Sequence, residues 1–110
     1  MSMYSLWRAW SLEPERALAY IWIMAKIEIY TQSWCGYCFR AKKLLESKGA
    51  PFTEIDLGVE DRTQEMIQRS NGGRSVPQIF IDGKHVGGCD DLHALDTAGK
   101  LDPMLRGVAS

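Results

Sequence analysis

The chain has 110 residues, 45% of them apolar and 25% charged, which suffices for one modest hydrophobic core and is too little for a second full domain. A formal net charge of -1 argues against a broad basic field for nucleic acid or an anionic membrane, so any anion site must be local. Three cysteines are an odd count and too few for a secreted disulfide scaffold, which points to a reducing, cytoplasmic setting where thiols stay free to react or bind metal.

Residues 1–25, MSMYSLWRAWSLEPERALAYIWIMA, hold three of the four tryptophans and differ in texture from the rest of the chain. The run 17–25 is about as long as a signal-peptide core, but Glu13 and Glu15 precede it and no small-residue cleavage site comes after it. It is well short of the roughly 20 apolar residues that span a bilayer. Pro14 suits the first turn of a short helix capped by Ser11, with Leu18, Ile21 and Trp22 as an apolar stripe that either packs on the domain or mediates dimerisation. Met24-Ala25-Lys26 looks like a chain start, so residues 1–25 are expected to be an N-terminal extension outside the functional unit, residues 26–110.

From Lys26 the pattern becomes regular. Ile27 and Ile29 alternate with Lys26 and Glu28, a period of two that predicts a strand. After Gly36, Cys38, Ala41, Leu44 and Leu45 recur at helical spacing until Gly49 and Pro51 stop the helix. PFTEIDL predicts a second strand. In GVEDRTQEMIQRSNGG, Glu60 and Asp61 start a helix, Val59, Thr63, Met66, Ile67 and Ser70 share a stripe, and Asn71-Gly72 ends it. PQIFIDGKHVGG predicts two strands joined at Asp82-Gly83, a strong hairpin signal. DDLHALDTAGKLDPML predicts a helix capped by an aspartate, with Leu92 and Leu95 inward and a tail after Gly99. The order strand, helix, strand, helix, strand, strand, helix implies a mixed four-stranded sheet covered by helices. Strands separated by helices are expected to pair parallel, and the last two antiparallel.

Cys35 falls at the strand-to-helix junction, where free backbone N–H groups and the helix dipole favour a negative charge such as a thiolate. In a C-x-x-C at a helix start the first thiol can fall from about 8.5 into a range of roughly 3.5 to 7.5. Cys38, one turn inward, is placed to attack a mixed disulfide formed on Cys35 and release its partner. Two alternatives stand beside redox exchange: inert packing, and half of a zinc site completed by Cys89 with His85 or His93. Gly36, Tyr37 and Ser33 suggest an exposed turn and favour exchange.

Taken together and in this order, IYTQSWCGYCFRAKKLL, SVPQIFIDGKHVGGCDDL and the strand sequence resemble a glutaredoxin, an α/β protein of the three-layer thioredoxin fold, over about residues 26–105. The resemblance implies a glutathione-dependent thiol–disulfide oxidoreductase in which Cys35 is the nucleophile and Cys38 resolves. It implies that Pro77 is cis and that Val76 offers its N–H and C=O to an extended peptide. It further implies a glutathione site. The N–H groups of Cys89 and Asp90 would hold the γ-glutamyl carboxylate, and Asp91 its ammonium, with Gly87 and Gly88 allowing close approach. Asp90 and Asp91 can also act as helix caps. Gln64 and Arg74 would serve the glycyl carboxylate, and Tyr37 the ligand's edge.

Where such proteins commonly carry a lysine three positions before the first cysteine, this chain has Gln32, a hydrogen-bond donor without charge. Gly36 stands in place of the usual proline between the cysteines, with Trp34 just before Cys35. Sequences of the WCGYC type resemble glutaredoxins that hold a [2Fe–2S] cluster between two subunits, and this gives the alternative: a cluster-bridged homodimer ligated by Cys35 and glutathione. Otherwise the expected state is a monomer whose partners are glutathione and disulfide-containing or glutathionylated proteins, with no nucleic acid or membrane. Cys89 reads as a small packed hydrophobe, and His85 and His93 as hairpin and helix-surface residues. Arg40, Lys42, Lys43 and Lys48 read as a solvated face, or as steering for acidic protein substrates.

Overall fold

The computed structural model describes residues 24–107, so the helix and stripe expected around Ser11, Pro14, Leu18, Ile21 and Trp22 lie outside the described residues. The chain runs β1 (Ile27–Thr31), α1 (Gly36–Ser47), β2 (Thr53–Asp56), α2 (Thr63–Arg69), β3 (Gln78–Ile81), β4 (Lys84–Gly87), α3 (Cys89–Thr97) and α4 (Leu101–Leu105). The four strands form one mixed sheet in the order β2-β1-β3-β4.

Alternation along the strands divides the core into two clusters. Ile27, Ile29, Ile79 and Ile81 meet Ala41, Leu45, Leu92, Leu101 and Leu105, so α1, α3 and α4 cover one face. Tyr30, Ile55 and Phe80 meet Met66, so α2 covers the other. The result is a three-layer sandwich.

β1 and β2 pair parallel, with Tyr30 opposite Ile55. Contrary to the expectation for helix-separated strands, β3 pairs antiparallel with β1, Ile29 lying opposite Ile79. The reason lies in the connection: α2 has seven residues, about 10 Å at 1.5 Å per residue, and the chain doubles back to the end of the sheet where β2 finished. β3 and β4 form the expected hairpin, and positive φ at both Asp82 (52°) and Gly83 (78°) matches a two-residue turn of type I′. These directions bring the end of β1, the start of β3 and the end of β4 to one edge of the molecule.

The helices differ from expectation at their ends. α1 stops as predicted, with Gly49 at φ 67° and the Ala50 N–H donating to the Leu45 carbonyl at 3.0 Å. α2 starts later than predicted, because Val59 and Glu60 N–H groups turn back onto the Asp56 carbonyl; Val59 leaves the stripe and is 83% exposed. The cap of α3 is Gly88 rather than an aspartate, and Asp91 reaches back so that its Oδ2 accepts the Gly88 N–H at 2.9 Å. The tail after Gly99 is helical, since Leu101 and Leu105 bury on the core, and the Leu105 carbonyl accepts the Ala25 N–H at 3.0 Å.

Under α2 the sheet carries a polar network. The Tyr30 side chain is fully buried, and its hydroxyl donates to the Glu65 carboxylate and accepts from Arg69 at 3.0 Å. Arg69 also forks onto Glu28 at 2.9 and 3.2 Å and lies 4.1 Å from the Phe80 ring centre. A phenol buried without partners would cost roughly 1–3 kcal/mol, so this network is what permits Tyr30 in the core. Hydrogen bonding to Arg69 holds the Glu28 carboxyl below the usual carboxylate range against the opposing effect of burial.

Candidate active site

Cys35 is the N-cap of α1, at φ −98° and ψ 107°, and its Sγ accepts the Cys38 N–H at 3.1 Å. The sulfur is half-buried and stands 3.8 Å from the Val76 carbonyl oxygen. A sulfur that takes a backbone N–H at a helix start occupies the place where negative charge is best tolerated. Cys38 is 2% exposed, and burial first, then the adjacent Cys35 sulfur, pushes its thiol up to about 12. Cys89 is also buried, and its thiol is likewise raised by burial, with Arg40 opposing. All three are free thiols. Thus one sulfur is reachable and two are withheld.

The Val76–Pro77 bond is cis, as the resemblance implied. Beside Cys35 a groove of about 460 Å³ runs between α1, the start of β3 and the start of α3. Of the expected ligand residues it gathers Tyr37, Val76, Pro77, Gly87, Gly88, Cys89, Asp90 and Asp91. Gln32, Gln64 and Arg74 are exposed and lie outside its lining. Gln32 nevertheless touches the site through its backbone, which hydrogen-bonds the Cys38 sulfur and lowers its thiol against the larger effect of burial.

Gly87 lines the groove and has a second reason to be glycine. It adopts φ 119°, and a Cβ there would stand 2.8 Å from Cγ of Asp91, so the space belongs to the protein's own carboxylate. A Cβ on Gly88 would make only ordinary contact with the Pro77 carbonyl at 3.4 Å. The N-terminus of α3, a nine-residue helix, thereby presents its first N–H groups with Asp91 fixed beside them.

Three lining residues escaped the sequence: Ser75, Gln78 and His85. His85 Nε2 lies 2.6 Å from Gln78 Oε1, and Gln78 Nε2 donates to the Ser75 carbonyl at 3.0 Å, tying β4 to the segment that faces Cys35. The available signal was a glutamine directly after Pro77 in an otherwise apolar strand, since a buried amide needs partners. His93, expected at the helix surface, is half-buried instead, with Nε2 enclosed and without a partner among the described residues.

Among the described residues no three His, Cys, Asp or Glu side chains converge as metal ligands, so the cysteine pair is not completed into a zinc site by Cys89, His85 or His93. No described helix is long and apolar enough to cross a membrane.

The glutaredoxin family model matches residues 27–86. Glutaredoxin 3 of Escherichia coli K12 is 57% identical over 84 residues, which cover 76% of this chain and all of that protein. The solution structure of a Brucella melitensis glutaredoxin aligns with a TM-score of 0.67 at 50% identity, covering 77% of this chain and 92% of that one. The crystal structure of a buckwheat glutaredoxin–glutathione complex aligns with a TM-score of 0.69 at 34% identity, covering 86% of this chain and 91% of that one. With an accessible sulfur capping a helix, a withheld second thiol one turn on and a proline segment facing the first, the chain belongs to the glutaredoxin family, whose members are generally thiol–disulfide oxidoreductases of the thioredoxin fold.

Proposed function

We propose that the chain reduces disulfides and glutathione mixed disulfides with glutathione as cosubstrate, within a redox unit formed by residues 26–110. The observation that carries this reading is the groove beside Cys35, which offers an α3 N-terminus for a carboxylate, Asp91 for an ammonium and the Val76 backbone for an extended peptide. The glutathione bound in the buckwheat relative supports it.

In this reading Cys35 Sγ attacks the glutathionyl sulfur of a mixed disulfide, forming a Cys35–glutathione disulfide while the substrate thiolate leaves and takes a proton from water. A second glutathione thiolate then attacks the glutathionyl sulfur, releasing glutathione disulfide and restoring Cys35. With a protein disulfide, Cys35 attacks one sulfur and expels the first substrate thiolate; Cys38 then gives its proton to that thiolate and attacks the Cys35 sulfur, expelling the second substrate thiolate, which takes a proton from water, and leaving a Cys35–Cys38 disulfide for two glutathiones to reduce. Gln64 and Arg74, both exposed, serve the glycyl carboxylate where the ligand runs past the groove lining.

The alternative [2Fe–2S] reading takes its thiolates from two copies of this chain and two glutathiones. Such a centre takes four ligands, and with one accessible thiol per chain, Cys35, these would be two Cys35 sulfurs and two glutathione thiolates. Steady-state reduction of a glutathione mixed disulfide tests the main reading. Wild type and Cys38→Ser are expected to turn over and Cys35→Ser to fall to background; turnover surviving in Cys35→Ser would overturn it. Anaerobic reconstitution with iron, sulfide and glutathione tests the alternative, which requires visible absorption that is lost in Cys35→Ser.

A further inference from the structure

Trp34 is the residue least explained by folding. It is fully exposed, at 102% of its reference area, and adopts φ 64°. Among the described residues the other non-glycine positions at positive φ are Asn71 and Asp82, types that tolerate this region in turns, whereas a bulky indole does not. Strain and exposure therefore coincide at the residue immediately before the nucleophile.

Trp34 also lies outside the lining of the glutathione groove, which is bounded on the α1 side by Tyr37. A tripeptide in that groove fills the side of Cys35 that Val76 and Tyr37 face. Only a longer chain continues past the sulfur onto the Trp34 side. Consecutive Cα atoms are about 3.8 Å apart and an extended chain advances about 3.3 Å per residue, so the neighbours of a substrate cysteine, whether it leaves in line from the glutathionyl sulfur or is itself bonded to Cys35 from a protein disulfide, come within reach of the indole. Val59, 83% exposed, lies beyond β2 at the same end of the sheet, where the Leu57 N–H donates to the Thr31 carbonyl at 2.9 Å.

We propose that Trp34 is a docking residue for polypeptide substrates: its exposed indole binds an apolar side chain adjacent to the disulfide-bonded cysteine of a protein, and so favours such proteins over small disulfides. The docking role rests on the glutathione-dependent function proposed for the Cys35 groove. An aromatic side chain beside a reacting centre gains contact area at low conformational cost, which is why such residues dominate interface energetics.

The test measures kcat/KM for three glutathione mixed disulfides: that of cysteine, and those of two short peptides identical except for Leu or Ser beside the cysteine. Wild type is expected to prefer the Leu peptide about tenfold over the Ser peptide. Trp34→Gly, whose backbone suits φ 64°, is expected to lose about tenfold on the Leu peptide while staying within about twofold on cysteine–glutathione, and Trp34→Phe is expected to keep most of the preference. An unselective wild type, a Trp34→Gly protein that keeps the preference, or an equal loss on all three substrates would overturn the docking role. Wild type inactive toward all three would instead overturn the glutathione reading, and the docking role with it.

Discussion

At the scale of single residues, the difference between Cys35 and its two companions is a difference of burial. Cys38 and Cys89 are 2% and 3% exposed and both thiols are raised by burial, so each holds its proton near neutrality. Iodoacetamide at neutral pH is therefore expected to modify Cys35 alone, with Cys38 reacting only in strong alkali; peptide mapping that finds Cys38 or Cys89 labelled first would contradict this. Gly87 and Gly83 form a matched pair. Both have positive φ, but only at Gly87 would a Cβ meet Asp91. Either substitution by alanine is expected to cost about 1–2 kcal/mol in chemical unfolding. Gly87→Ala is expected in addition to weaken glutathione binding by calorimetry, and Gly83→Ala to leave it unchanged. The C-x-x-C pair was legible because its spacing at a strand-to-helix junction is local, whereas Pro77 and Asp91 were singled out through the resemblance carried by SVPQIFIDGKHVGGCDDL. The Ser75–Gln78–His85 tie and the enclosed Nε2 of His93 were not, since both depend on which strands and helices become neighbours.

At the scale of elements, periodicity carries the strands and helices but not their ends and directions. Helical spacing puts Val59 in the α2 stripe, yet Val59 belongs to a turn held by the Asp56 carbonyl. The tail after Gly99 is helical because Leu101 and Leu105 find a core that local sequence does not display. The most consequential element contact is between β1 and α2 through Glu28, Arg69 and Tyr30. Because the Glu28 pKa is lowered in the folded state, its contribution is present above the unfolded carboxylate value and disappears as pH falls through the folded one. Glu28→Gln is expected to destabilise by about 2 kcal/mol near neutrality, and wild type and variant to converge in acid once the pH has fallen below the lowered folded value. Urea unfolding near neutrality and in acid measures this, and a constant difference would contradict it.

At the scale of the molecule, one topological fact places the site. Because β3 runs against β1 and β4 runs back again, the end of β1, the start of β3 and the end of β4 share one edge, which brings Cys35, Val76 and the α3 N-terminus together. The presence of a mixed sheet was legible, whereas the reversal of β3 was not, because helix-linked strands ordinarily pair parallel. The E. coli relative is matched over its whole length by 76% of this chain. A protein lacking residues 1–23 is accordingly expected to fold and to reduce mixed disulfides at the full-length rate; loss of activity on deletion would assign those residues a part in the redox unit. The central claim, a single nucleophilic sulfur beside a glutathione groove, is tested most directly by incubating Cys38→Ser with glutathione disulfide and locating the adduct by mass spectrometry. One glutathionyl group on Cys35 is the expected result, and an adduct on Cys89 alone, or none at all, would contradict it.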